Sequence, residues 1–331
     1  MKKIFLSIIL GILIITLSGC QKYDEKSIKD DLNNDINKIK GYHVIGDLEV
    51  YNGDNIYKYD VESSKYEDKY KVSLINKNNK HEQIIIKNDD GVYVLTPQIN
   101  KSYKFQSKWP ENSSQIYLLE SLISDMNNDN DMKLITKNDE YIVETKLAYS
   151  NSKNLVKEKI YLNKKLDIKM VEVFDEDDKL QMKMNYNEID KKATFNDNYF
   201  DVKENSNNKE EKTKETISEI EDTIYPMYLP SGTYLATEES VAKENGERVI
   251  LTFQGESPFI LVQETVDIND EVEDIPVNGE PEFIVDTIGA VSSSSVSFIS
   301  NGVEYYLSSS SLTEEEMIQV AESMSPIAVM K

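Results

Sequence analysis

The residues able to do chemistry in this chain are few and poorly spaced. His43 and His81 are the only histidines among 331 residues. Neither lies in an H-x-x-x-H or H-E-x-x-H spacing, so no zinc site is expected. The acidic runs Asp125–Asp131 and Asp267–Glu273 resemble calcium loops by composition alone. Their sixth positions are Asn130 and Val272 where a glycine must turn, and Thr136 and Asn278 stand where a bidentate glutamate is required. Gly-rich phosphate cradles and G-x-S-x-G elbows are absent, and Ser292–Ser295 and Ser308–Ser311 read as strand-end turns. With 60 acidic residues, carboxylates could serve as acid and base, yet no pair stands out. The sequence therefore predicts no cofactor, no metal and no catalytic residue.

One residue does carry a chemical expectation. Lys2 and Lys3 precede an apolar run from Ile4 to Leu17, too short to span a bilayer core of about 30 Å, and Leu17-Ser18-Gly19-Cys20 follows at once. This resembles a bacterial lipobox, in which the thiol is diacylated and the chain cut before it. Residues 1–19 are then a signal peptide, 20–26 a lipidated tether, and Cys20 the lipidation site. As the only cysteine, it leaves none for an internal disulfide. Two acyl chains anchor a protein firmly where one is marginal, which places the chain on the outer face of a plasma membrane. A formal net charge of −23, from 60 acidic against 37 basic residues, excludes nucleic acid as a partner. Arg248 is the only arginine, so bidentate clamps on phosphate are nearly unavailable.

The remaining candidates are apolar and aromatic, and they lie on elements that the periodicity predicts. Ser27 is expected to cap a helix whose stripe is Ile28, Leu32, Ile36 and Ile39, ended by Gly41. Alternating segments then predict strands around Tyr42–Val50, Tyr57–Val61, Tyr70–Leu74 and Gln83–Lys87, with a turn at Asn52-Gly53. Val92–Leu95 and Tyr103–Phe105 form a hairpin feeding a second helix. From Ser113 onward its face is Ile116, Leu119, Leu122, Ile123 and Met126. Five more strands follow between Met132 and Tyr186. The expected fold is mainly β (α+β): a half-open antiparallel β-barrel wrapped over helices, spanning 27–202. Residues 203–222 form an acidic linker, since Asp201–Asp222 holds eight acids, four lysines and three aliphatic residues. Residues 223–331 form a smaller C-terminal α+β domain, with strands at 233–239, 248–254, 259–266, 283–288, 296–299 and 303–307. Thr313 and Glu316 make a capping box for its terminal helix.

The stretch Asp89-Asp90-Gly91-Val92-Tyr93-Val94-Leu95-Thr96-Pro97, with Asn100-Lys101-Ser102-Tyr103 after it, is similar to a segment of the LolA/LolB/RseB lipoprotein-carrier family. Together with the lipobox, it most resembles that family's sporulation and germination lipoproteins from Gram-positive spore formers. YPMYLPSG, NGVEYYLS and LTEEEMIQVAESM resemble a small α+β domain of similar surface lipoproteins. The resemblance implies a half-barrel that cups an acyl chain or other lipid-like ligand. Val92, Val94, Leu95, Tyr103, Phe105, Trp109, Leu119 and Leu122 are the expected lining. Some members of the family instead hold a protein partner, so the alternative expectation is an envelope protein, such as a cell-wall hydrolase under control in sporulation or germination; a homodimer is a further expected assembly.

Overall fold

A computed structural model describes residues 23–111, 113–137, 140–147, 155–206, 220, 222–244, 246–267 and 272–324. The expected signal peptide, Cys20 and residues 207–219 of the expected linker lie outside them. Among the described residues no helix is long and apolar enough to cross a membrane.

The order helix, meander, inserted helix, meander is the one observed. Helix α1 (Glu25–Ile36) is followed by β1 (Gly41–Asn52), β2 (Asn55–Tyr66), β3 (Lys69–Asn76), β4 (Glu82–Asn88), β5 (Gly91–Thr96) and β6 (Lys101–Phe105). Helix α2 (Leu119–Asn128) then leads to β7 (Lys133–Lys137), β8 (Glu140–Lys146), β9 (Leu155–Leu162), β10 (Ile168–Asp175) and β11 (Leu180–Asp190). The two halves of the meander join through β1 and β11. Gly46 permits this approach, because a Cβ there would lie 2.5 Å from the Asn185 carbonyl oxygen. The sheet curls over α1 and α2, whose Ile28, Leu32, Leu119, Leu122 and Met126 share one core with the inward side chains of the strands.

Both helix starts differ from expectation. The N-cap of α1 is Asp24, whose side chain accepts from Ser27 N at 2.7 Å, while Ser27 Oγ accepts from Asp24 N at 2.9 Å. Ser27 thus sits in the third helical position as the reciprocal half of a capping box, and Gly41 opens β1. Helix α2 begins at Leu119 and not near Ser113. The preceding backbone is held by distant side chains: Ser63 Oγ donates to Tyr117 O at 2.8 Å, and the Tyr186 hydroxyl to Ile116 O. With these partners residues 113–118 need no helical ladder. The helix α3 (Val202–Ser206) carries ordered structure past the expected start of the linker, to Ser206. Asn205 Nδ2 donates to Asp201 O at 2.7 Å, next to a ring cluster of Phe195, Tyr199 and Phe200.

The C-terminal module is a sheet of β12 (Thr233–Lys243), β13 (Gly246–Gly255), β14 (Phe259–Thr265), β16 (Glu280–Ile284), β17 (Thr287–Val291), β18 (Ser295–Ser300) and β19 (Val303–Ser308). It packs on α4 (Glu314–Glu322). The capping box of Thr313 and Glu316 is present. The single strand expected over 283–288 is instead two strands, reversed at Val285, which takes φ +56°.

A further strand was not foreseen. β15 (Glu273–Val277) leaves this module and pairs in parallel with β6, at the edge of the large sheet. Pro276 is tolerated there because an edge strand needs donors on one side only. Gln83 clamps the same junction: its Nε2 donates to Ile288 O at 3.0 Å, and its Oε1 accepts from Ile288 N at 2.6 Å and Thr287 Oγ1 at 2.9 Å. Gln83→Leu would strand the Ile288 backbone groups. It is expected to weaken docking by about 2–4 kcal/mol, read as faster amide exchange over 273–277 and 287–291 while β1–β3 stay protected.

Candidate functional site

The eight expected lining residues do not form an open hollow. Val92, Val94, Phe105, Trp109, Leu119 and Leu122 come together in the core beneath the sheet, with Trp109 1%, Leu119 2% and Leu122 0% exposed. They are filled in by Ile116, Leu118 and Met126, which are equally buried. Tyr103 is only partly buried against this core, and its hydroxyl donates to Glu304 Oε1 of the C-terminal module at 3.0 Å. Leu95 lies elsewhere. Strand alternation turns it, with Tyr93, to the opposite face of β5, where both pack with Ile84 and Ile86 under Val202.

The half-barrel interior also holds acids. Asp125 on α2 and Glu158 on β9 are both buried, and Asp125 Oδ2 and Glu158 Oε1 have no hydrogen-bond partner. Burial pushes the Asp125 carboxyl up to about 6. Burial, and then the neighbouring Asp125 charge, push Glu158 well above the ordinary carboxylate range. Glu120 Oε2 accepts from the Tyr42 hydroxyl at 2.6 Å, while its Oε1 has no hydrogen bond and lies 3.7 Å from Lys65 Nζ.

One open space is at the mouth, where the C-terminal module meets the half-barrel; another, of about 630 Å³, lies beside β8 and β9 among the charged side chains of Asp131, Lys133, Glu144 and Lys146. A cavity of about 400 Å³ lies between the end of β1, the segment before α2, the β10–β11 turn, β16 and α4. Its apolar walls include Val50, Ile116, Tyr117, Met182, Phe283 and Ile318. Its rim is acidic, with Asp175, Asp177, Glu282, Glu315 and Glu322. Burial raises the Glu322 carboxyl to about 7, so this rim gains a charge near neutral pH. Such a site suits an apolar group carried next to a positive charge or a hydrogen-bond donor. None of these wall residues is among the eight expected. Ile318 offered the one sequence signal, an isoleucine lying off the Met317, Val320, Ala321 and Met324 stripe of its helix.

The histidines carry no constellation of the catalytic kind. His43 Nδ1 lies 2.9 Å from Ser64 Oγ, and Ser64 Oγ lies 3.0 Å from the Tyr199 hydroxyl. His43 and Ser64 are direct cross-strand partners, and Ser64 is buried beneath Tyr199, which makes this a sheet contact. Among the described residues no group of three or more His, Cys, Asp or Glu is placed to hold a metal ion.

Fold and site together define a β-rich, two-module protein whose half-barrel is packed by its own helices and whose mouth is capped by a second sheet. The chain belongs to the family of the sporulation protein YdcC of Bacillus subtilis (strain 168). It is 36% identical to that protein over 329 residues, covering 98% of this chain and 97% of the relative. No protein-family model matches. Among solved structures, the MucA/MucB complex of Pseudomonas aeruginosa aligns with a TM-score of 0.31 at 9% identity, over 88% of this chain and 97% of that one. A lipoprotein-sorting protein domain from Vibrio parahaemolyticus aligns with a TM-score of 0.34 at 11% identity, over 54% and 97%.

Proposed function

We propose that this is a non-catalytic binding protein of sporulation, anchored through a diacylated Cys20 to the outer face of the plasma membrane. In this reading the cavity at the mouth receives an apolar group of an envelope-protein partner. The relative's name supports the process, and the lipobox-like Leu17–Cys20 supports the anchor. The observation that carries the site is the contrast between a half-barrel filled by Trp109, Leu119 and Leu122 and a mouth that stays open over about 400 Å³. Interfaces are dominated by a few buried apolar anchors inside a polar rim, which is the arrangement at Phe283, Ile318 and their acidic surround.

A second reading, capture of an acyl chain, is supported by the apolar walls at Val50, Ile116 and Met182. Both readings place the ligand at Ile318, and a half-buried isoleucine there tolerates substitution better than a core position. Ile318→Gln, which adds no charge to the acidic rim, is therefore expected to cost little thermal stability and to fail in restoring sporulation to cells lacking the gene. Full restoration by Ile318→Gln would remove the cavity from consideration.

A further inference from the structure

The C-terminal sheet ends on a strand that is paired along one edge only among the described residues. β12 pairs with β13 and stands last in the strand order, at the far end from β16 and β17, which touch the half-barrel. Its eleven residues make a long edge. Edges are usually blunted by proline, lysine or a bulge. β12 has no proline and its one lysine is its last residue; its protection rests on Glu238, Glu239 and a register shift between Leu235 and Thr237.

Beside this edge the sheet presents an apolar face. Ile250 stands opposite Val262, Val262 opposite Tyr306, and Thr252 opposite Ile260. The alternate residues Leu251, Leu261, Tyr305 and Leu307 are buried in the module's core, so this row faces outward. Tyr234 is 57%, Val241 46%, and Ile260 and Tyr306 each 45% exposed. These four are among the ten large apolar side chains exposed among the described residues, and they share the outward face.

The charge on the edge selects the occupant. Glu238 and Glu239 sit at the middle of β12. A second copy pairing antiparallel about that middle would set these glutamates against each other, which destabilises a ladder, and each copy brings a net charge of −23. We infer that β12 and the adjoining face form a strand-addition site for an extended segment of a different protein, in which one lysine or arginine is flanked on the same strand face by apolar residues. The backbone groups of β12 that have no ladder partner among the described residues supply the pairing. Glu239 shares the outward face with Tyr234 and Val241, as their partners Ile250, Gln254 and Arg248 on β13 show. An added strand would place a basic side chain beside Glu239 and apolar ones over Tyr234 and Val241. This site is separate from the cavity at the mouth and does not depend on it.

The test uses the full chain and two synthetic eleven-residue peptides, both with valine at every second position and threonine between, the central valine being replaced by lysine in one and by glutamate in the other. Fluorescence anisotropy would give affinities, and hydrogen exchange would locate binding. The lysine peptide is expected to bind at least about tenfold more tightly than the glutamate peptide and to slow amide exchange selectively over 233–243. Glu239→Lys, an exposed change that leaves the fold intact, is expected to shrink or invert that preference. Binding without protection of 233–243, an unchanged preference in Glu239→Lys, or a dimer of the chain with the same amides protected would each overturn the inference.

Discussion

Leu122→Asp is expected to unfold the half-barrel, and not merely to empty a ligand site. Leu122 is fully buried among Trp109, Leu118 and Leu119. Truncating such a side chain costs about 2–5 kcal/mol, and a carboxylate placed there without a partner adds several more. The sum approaches the whole stability of an ordinary domain, about 5–15 kcal/mol. Near-ultraviolet circular dichroism and urea titration of the purified variant would show a loss of fixed aromatic packing. If α2 instead walled an open lipid hollow, Leu122→Asp would stay folded and lose only its ligand.

The second large effect concerns the buried acids. A carboxyl whose folded pKa is raised binds its proton more tightly in the native state, so stability is fully present below the unfolded pKa. It is lost as pH rises through the folded value. For Asp125 the window runs from 3.8 to about 6. At about 1.4 kcal/mol per pH unit, that amounts to about 3 kcal/mol of stability lost by pH 8. Glu158, raised by its burial and then by the Asp125 charge, adds a loss of the same sign. Glu158→Gln keeps the shape and removes the titration. Its urea midpoint at pH 8 is therefore expected to exceed that of the parent by an amount worth about 1–3 kcal/mol, with the gain vanishing near pH 4. An equal midpoint difference at both pH values would mean that folding leaves the Glu158 carboxyl unshifted.

Much of the architecture is written locally. Tyr42–Val50 and Val92–Leu95 alternate as strands do, Asn52-Gly53 supplies the turn with Gly53 at φ +58°, and Thr313 with Glu316 announces α4. What escaped is what distant residues decide. Ser113–Leu118 continues a helical pattern, yet its backbone is bound by Ser63 and Tyr186 from the sheet. β15 has acids and a proline in five residues, and it becomes a strand only because the edge of β6 lies beside it. Leu95 looks like its neighbours Val92 and Val94, but alternation sends it to the other face, which Val202 covers. The mouth is the least legible part. Val50 and Met182 pair directly across β1 and β11, but Phe283 and Ile318 come from distant segments and join them only through the docking of the C-terminal module.

The central claim, that ligand recognition occurs at the mouth and not inside the half-barrel, is tested most directly by site-specific photocrosslinking in sporulating cells. A photoreactive residue would replace Ile318 in one strain and Leu122 in another, with the mass of each adduct measured. The account predicts a discrete polypeptide adduct from position 318 and none from position 122. A lipid adduct at position 122 on a folded protein would contradict it.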